Sequence, residues 1–180
     1  MAIVHIVSGN SFKVPTLNIP EAKIIDKVVI TITDLHPGHV ACTFSDPAYK
    51  HDHAGAASWG TALDIDCRKK KGQLGEAVRV TFKIDQKIKN VEFIPFPLNP
   101  SEPPDPTEPD EIPLAVTAGS NKALAMLADL EFDKSSATFL VQWTGHKKPA
   151  PFNLGFLFTD DATPNLKMPV IYDPKVQNDG

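Results

Sequence analysis

Four of the 6 histidines in this 180-residue chain crowd into residues 34–55 (DLHPGHVACTFSDPAYKHDHAG): His36, His39, His51 and His53. Neutral imidazole nitrogen is a common ligand for transition-metal ions. If His51-Asp52-His53 is extended, both rings project to the same side, the arrangement with which two strand residues grip one ion. His36 and His39 flank a Pro-Gly turn and could swing toward that pair, with Asp34, Asp46 and Asp52 as further ligands or as acceptors that fix a ring tautomer. A transition-metal ion on His36, His39, His51 and His53 is thus one expectation; otherwise no cofactor is implied. The plainer reading is that these are loop histidines facing water, and His39 sits in the alternation phase opposite Val40 and Cys42. The glycine, histidine and glutamate spacing of cupin barrels is missing.

Tyr49 and Trp59 flank the same segment. A polar loop edged with aromatic rings at the rim of a β-sandwich is a common place for a ligand, so Tyr49, His51, His53 and Trp59 make a candidate ligand-binding set. Against this, Trp59 can equally cap the core beneath the loop. Trp143 shares its phase with Phe139 and Val141 and is expected in the core.

Other chemistry finds little support. Ser58-Trp59-Gly60 lacks the glycine two residues before the serine that a nucleophile elbow needs. Cys42 and Cys67 fall in inward phases, as buried free thiols, whereas a reactive thiolate needs an accessible, electropositive setting. None of the 10 glycines has the spacing of a phosphate-binding loop. Asp64 with Asp66, and Asp160 with Asp161, read as solvated turn acids; Asp160, Asp161 and Asn165 could hold calcium but lack the order of an EF-hand loop. No catalytic residues are expected, and the balance leans away from an enzyme.

The elements that must position these residues are strands. Val78, Val80, Phe82 and Ile84 alternate with Arg79, Thr81, Lys83 and Asp85, giving one buried and one wet face. Phe139, Val141 and Trp143 alternate with Thr138, Leu140 and Gln142, and Phe152, Leu154, Phe156 and Phe158 do the same further on. Val28, Ile30 and Ile32 oppose Val29, Thr31 and Thr33, which predicts a strand covered on both sides. Residues 121–133 (NKALAMLADLEFD) hold strict alternation but are rich in helix formers, so they are assigned to a strand, with a helix as the alternative. With weaker runs counted, the pattern is all-β, an antiparallel β-sandwich of about ten strands.

Residues 95–113 (PFPLNPSEPPDPTEPDEIP) carry proline too densely for ladder or helix and are diluted by acids. They read as a long Pro-rich acidic loop within a single domain spanning 1–180. The alternative is a linker between two subdomains, 1–94 and 114–180. The run Arg68-Lys69-Lys70-Lys71 before Gly72 reads as a solvated hairpin end, and the last residues as frayed or laid along the surface.

Net charge is −4 and no basic stripe exists, which argues against a nucleic-acid partner. No apolar run approaches the ~20 residues needed to span a bilayer, and the start lacks the charged end and long apolar stretch of a signal peptide. The expectation is a soluble, cytoplasmic protein without a membrane partner.

No known family's motif runs through these residues, and sandwich architecture does not choose a function. The leading expectation is a non-catalytic binding or interaction module for a small ligand or a protein. Self-association as a homo-oligomer is a further expectation, because open sheets leave edges needing cover. The alternative is a His-cluster metal-binding protein or metal-dependent enzyme.

Overall fold

The computed structural model describes residues 12–36, 39–51, 62–94, 116–163 and 167–178. Within them the chain forms β1 (Phe12–Lys13), β2 (Ile24–His36), β3 (His39–Phe44), β4 (Ile65–Asp66), β5 (Ala77–Ile84), β6 (Val91–Phe93), β7 (Val116–Ala118), α1 (Asn121–Met126), β8 (Leu127–Phe132), β9 (Ser136–Gln142), β10 (Ala150–Thr159), β11 (Lys167–Tyr172) and β12 (Lys175–Gln177). One sheet has five strands in the order β3-β2-β5-β9-β8. The other has seven, in the order β1-β7-β10-β12-β4, with β6 and β11 also paired to β10.

The inner faces of the two sheets share one core. Phe82 and Phe139 from the five-stranded sheet meet Phe152 of the other, with ring centroids 6.2 and 5.8 Å apart. Phe93 and Phe156 add a closer pair at 4.9 Å. Each such side chain, fully buried, contributes roughly 1.5–3 kcal/mol of transfer free energy, so period-two alternation is enough to drive the sandwich. Val78, Val80, Phe82 and Ile84 all face inward, as do Phe139, Val141 and Trp143.

The all-β class is as expected, but the sheets are mixed rather than purely antiparallel. β2 and β5 run parallel, with Val28 beside Val80, Ile30 beside Phe82 and Ile32 beside Ile84; β4 and β12 are also parallel. Alternation is the same for either direction. The difference lies in the connection: β3 returns antiparallel along β2 toward the end beside which β5 begins, so β5 runs parallel to β2 on its other side.

Residues 121–133 divide. Ser120 caps α1 by accepting from the Ala123 N–H, and the Ala-Leu-Ala-Met run completes a short helix before β8 begins. A bulge between Ala128 and Glu131 then breaks the expected phase, with Asp129 at φ 54°. β2 is also less covered than its sequence implies: Val29 is 38% exposed. Conversely Leu140, on the expected wet phase, is buried with Ala77 and Ala128 under Ile19 and Ile24.

The basic run is not a hairpin end. It forms a 3-10 turn, Arg68–Lys70, in which Arg68 grips the Asp66 carboxylate with two side-chain nitrogens at 2.9 and 2.6 Å and Lys70 reaches Asp26 and Asp46 at 3.0 and 2.8 Å. The tail is not frayed either through residue 178: Val176, Gln177 and Asn178 are buried, because β12 pairs with both β10 and β4. Residues 95–113 lie outside the described residues; strands from either side of them are neighbours in both sheets, β5 with β9 and β6 with β10. Among the described residues no helix is long and apolar enough to cross a membrane.

Candidate functional site

The end of the β2–β3 hairpin is built by a bulge. Ile32 pairs with Cys42 and Asp34 with Ala41, so Thr33 is the extra residue. A bulge resets the side-chain phase and re-aims the residues beyond it. Without it Asp34 and His36 would continue the inward row of Val28, Ile30 and Ile32. With it Leu35 turns inward, 4% exposed, and Asp34 and His36 turn outward together.

His36 and His39 then stand directly opposite each other across the strands. Their rings are stacked, centroids 6.2 Å apart at 25°. Both aim at the same carboxylate: His36 Nε2 is 2.9 Å from Asp34 Oδ1 and His39 Nε2 is 3.3 Å from Oδ2. All three side chains are well exposed. The backbone beneath them is held, because the Tyr172 hydroxyl donates to the carbonyls of both His36 and His39. Tyr172 is itself rooted in the core, edge-on to Phe156 at 5.7 Å, and burial pushes its phenol above the usual value.

The second polar cluster lies where residues 46–51 and 65–70 cross the strand ends. Tyr49 is fully buried and donates its hydroxyl to Asp26 Oδ2 at 2.8 Å. Burial first, then the Asp26 carboxylate, raises the phenol's pKa. Burial alone would raise Asp26, but Tyr49, the Lys27 N–H and Lys70 outweigh it and keep the carboxyl below its usual range. Lys70 also lies over the Tyr49 ring, 5.2 Å from its centroid. Asp46 starts the Pro47–Tyr49 turn by accepting from Ala48 N–H.

The sequence-predicted site therefore separates. His36 and His39 come together, on Asp34. His51 is buried; burial would raise the Asp66 carboxyl, but Arg68, with a smaller electrostatic contribution from His51, holds it below its usual range. His51 follows the bridge that Lys50 makes to Ile65 and does not join the other two. Tyr49 offers no open ring face to a ligand; its role is to lock the 46–51 segment to β2. His53 and Trp59 lie outside the described residues. Among the described residues no group of three or more His, Cys, Asp and Glu side chains is arranged to hold a metal ion.

Cys42 and Cys67 are free thiols, as expected. Cys42 donates to the Ala62 carbonyl at 3.1 Å, and burial lifts its pKa to about 11. Burial raises Cys67 further. Asp160 turns back on its own loop, accepting from Ala162 N–H and Thr163 Oγ1. Asp129 escapes a reading of the sequence: its carboxylate accepts from three consecutive backbone N–H groups, Leu17, Asn18 and Ile19, at 2.7, 2.9 and 2.9 Å. The one signal for it is an aspartate on the wet phase of a strand.

No family model matches the chain, and no curated protein or solved structure matches it either.

Proposed function

We propose that this chain is a non-catalytic binding module and that it engages its partner through the end of the β2–β3 hairpin. The observation that carries this reading is the pairing of exposure with rigidity at that end. Asp34, His36 and His39 project into solvent while Tyr172 fastens the backbone that bears them. A polar surface on a braced frame loses little conformational entropy when it binds, which is what recognition sites on rigid scaffolds exploit.

Among the described residues, several reactive groups brace the fold. Tyr49 is committed to Asp26, Asp66 to Arg68, and both thiols are held protonated by burial. The reading does not include pairing between sheet edges. Residues 15–19 lie along the edge strand β8, tied to the Asp129 side chain and N–H, and a covered edge discourages strand-to-strand association there.

The test is site-specific photo-cross-linking in cells. The cross-linking amino acid is placed at Thr33, beside the hairpin end, and for comparison at Leu74, which is 74% exposed near the start of β5, the other end of the sheet. The reading expects a defined adduct from position 33 that is lost in His36→Ala with His39→Ala and absent from position 74. Identical adduct patterns from the two positions would overturn it.

A further inference from the structure

We infer that the end of the sandwich formed by residues 67–75 and 143–148 docks on a bilayer surface carrying anionic phospholipid. Lys69, Lys71, Lys147 and Lys148 are the cations, and Leu74 is the side chain that enters the interface. The inference goes beyond the preceding reading, because this is the opposite end of the five-stranded sheet from the β2–β3 hairpin: Ile24, Ala77 and Gln142 stand side by side here.

Two loops distant in sequence are packed into one surface. Cys67 N–H donates to the Gln177 carbonyl at 2.7 Å, and the Gln177 side chain donates to the Lys147 carbonyl at 2.8 Å. Further along, Gly75 N–H donates to the Trp143 carbonyl at 3.1 Å, and a Cβ on Gly145 would stand 3.7 Å from Leu74 Cδ2. Gly72 lies against the Trp143 indole between these ties. The 67–75 loop is thereby clamped to the 143–148 loop at both of its ends.

The basic turn sorts its cations. Arg68 is held on Asp66, and Lys70 on Asp26 and Asp46. The alternate residues, Lys69 and Lys71, are exposed, as are Lys147 and Lys148. Among the described residues none of these four is ion-paired with a carboxylate. Glu76, just before β5, accepts from Gln73 N–H. The other end of β5 differs, for Lys134 and Lys167 there both pair with Glu92. The sequence shows no basic stripe because the cations come from separate segments of a chain whose net charge is −4.

Leu74 decides between anionic partners. It is 74% exposed, more than any other large hydrophobic side chain among the described residues, and it lies against Gly145, where the two loops meet. An acidic peptide or a nucleic-acid backbone neutralises lysines but gains little from a protruding leucine. A lipid surface takes both, since its headgroups attract each nearby lysine by about fivefold in affinity and its acyl boundary accepts apolar side chains. The lack of an apolar span bears on crossing a bilayer and not on lying against one. β2 spans 13 residues, so about 40 Å separates its ends and the hairpin end stays free for its own partner.

The experiment is co-sedimentation of the full, untagged chain with vesicles of phosphatidylcholine alone and of phosphatidylcholine with phosphatidylserine. Binding is expected only to the phosphatidylserine vesicles and should fall as sodium chloride is raised. Lys69→Glu with Lys71→Glu, and separately Lys147→Glu with Lys148→Glu, should each weaken it by about 30-fold or more. Leu74→Ser should weaken it by about tenfold. Lys87→Glu with Lys89→Glu, the same charge change on exposed residues beyond the other end of β5, should leave it within about twofold. Unchanged thermal unfolding verifies that each variant is folded, and the two lysine pairs lie on separate loops, so either pair alone keeps the test decisive. Equal binding to both kinds of vesicle, no binding to either, or a loss in the Lys87 and Lys89 variant as large as in the other pairs would overturn the inference. So would retention on immobilised polyglutamate with vesicle binding unmoved by Leu74→Ser, which would assign the lysines to an acidic polypeptide instead.

Discussion

Gly72 lies flat against the indole of Trp143: a Cβ on Gly72 would stand 2.4 Å from the ring atoms Cδ2 and Cε3. The ring cannot slide away, because Trp143 is 2% exposed and its backbone is tied on both sides, its N–H donating to Glu76 and its carbonyl accepting from Gly75. Gly72→Ala is therefore an overpacking change. It should lower unfolding free energy by about 1–3 kcal/mol, read as a shifted urea midpoint with an unchanged slope. Wild-type stability in this variant would mean that the indole repacks freely.

Asp129 ties the 17–19 segment to β8 through its ionised form. Burial alone would raise its pKa, but three backbone N–H donors outweigh that and hold the carboxyl below the usual range. A depressed folded-state value means that the stabilisation is complete above the unfolded value, about 3.9, and is lost as pH falls through the folded one. Asp129→Asn keeps a side chain that tolerates positive φ but removes the charge, and should cost about 1.5–3 kcal/mol at pH 7. Urea melts from pH 7 to 2.5 should show the wild type losing the Asp129 part of its stability below about pH 4, and the variant losing less over that range. Parallel pH curves would refute this account.

Tyr49 and Asp26 act as a unit across 23 residues of sequence. Tyr49→Phe should destabilise by about 1.5–3 kcal/mol, since it removes a donor from a charged acceptor. In an Asp26→Asn background the same change should cost less, with a coupling of about 0.5–3 kcal/mol in a double-mutant cycle. Additive losses would show that the two side chains do not depend on each other.

The two thiols should be separable by pH. With a pKa of about 11 and partial exposure, Cys42 should react slowly with a thiol reagent at pH 8, and faster as the pH approaches its pKa. Cys67, buried and raised further, should stay unmodified until the chain unfolds. Mass spectrometry of intact protein then counts one adduct in the native state and two in denaturant. Rapid double labelling at pH 8 would contradict the burial described.

Part of the candidate site could be read from residues 34–60, but not its composition. His36 and His39 sit on either side of Pro37-Gly38, which brings them opposite each other by purely local geometry. His51 carries the same residue type and the same proximity in sequence, yet it is buried, because Lys50 beside it is bridged to Ile65 in a strand formed later in the chain. Tyr49 reads as a stacking platform because its own neighbours leave it without a strand. Its burial depends on Asp26 and Lys70, which no local pattern connects to it.

By itself, the sequence determined the central strands and, along the regular parts of them, which way their side chains face. Val78, Val80, Phe82 and Ile84 face inward as their alternation requires, because a strand's side-chain period is a property of consecutive residues. Only the tertiary structure decided that β2 and β5 run parallel, that Thr33 is bulged so Asp34 and His36 share a face, and that Asp129 captures a segment 110 to 112 positions away. Each of these is a choice of partner between distant parts of the chain. Such choices are made by competition for the core and for unsatisfied backbone groups, and no window of neighbouring residues contains both sides of that competition.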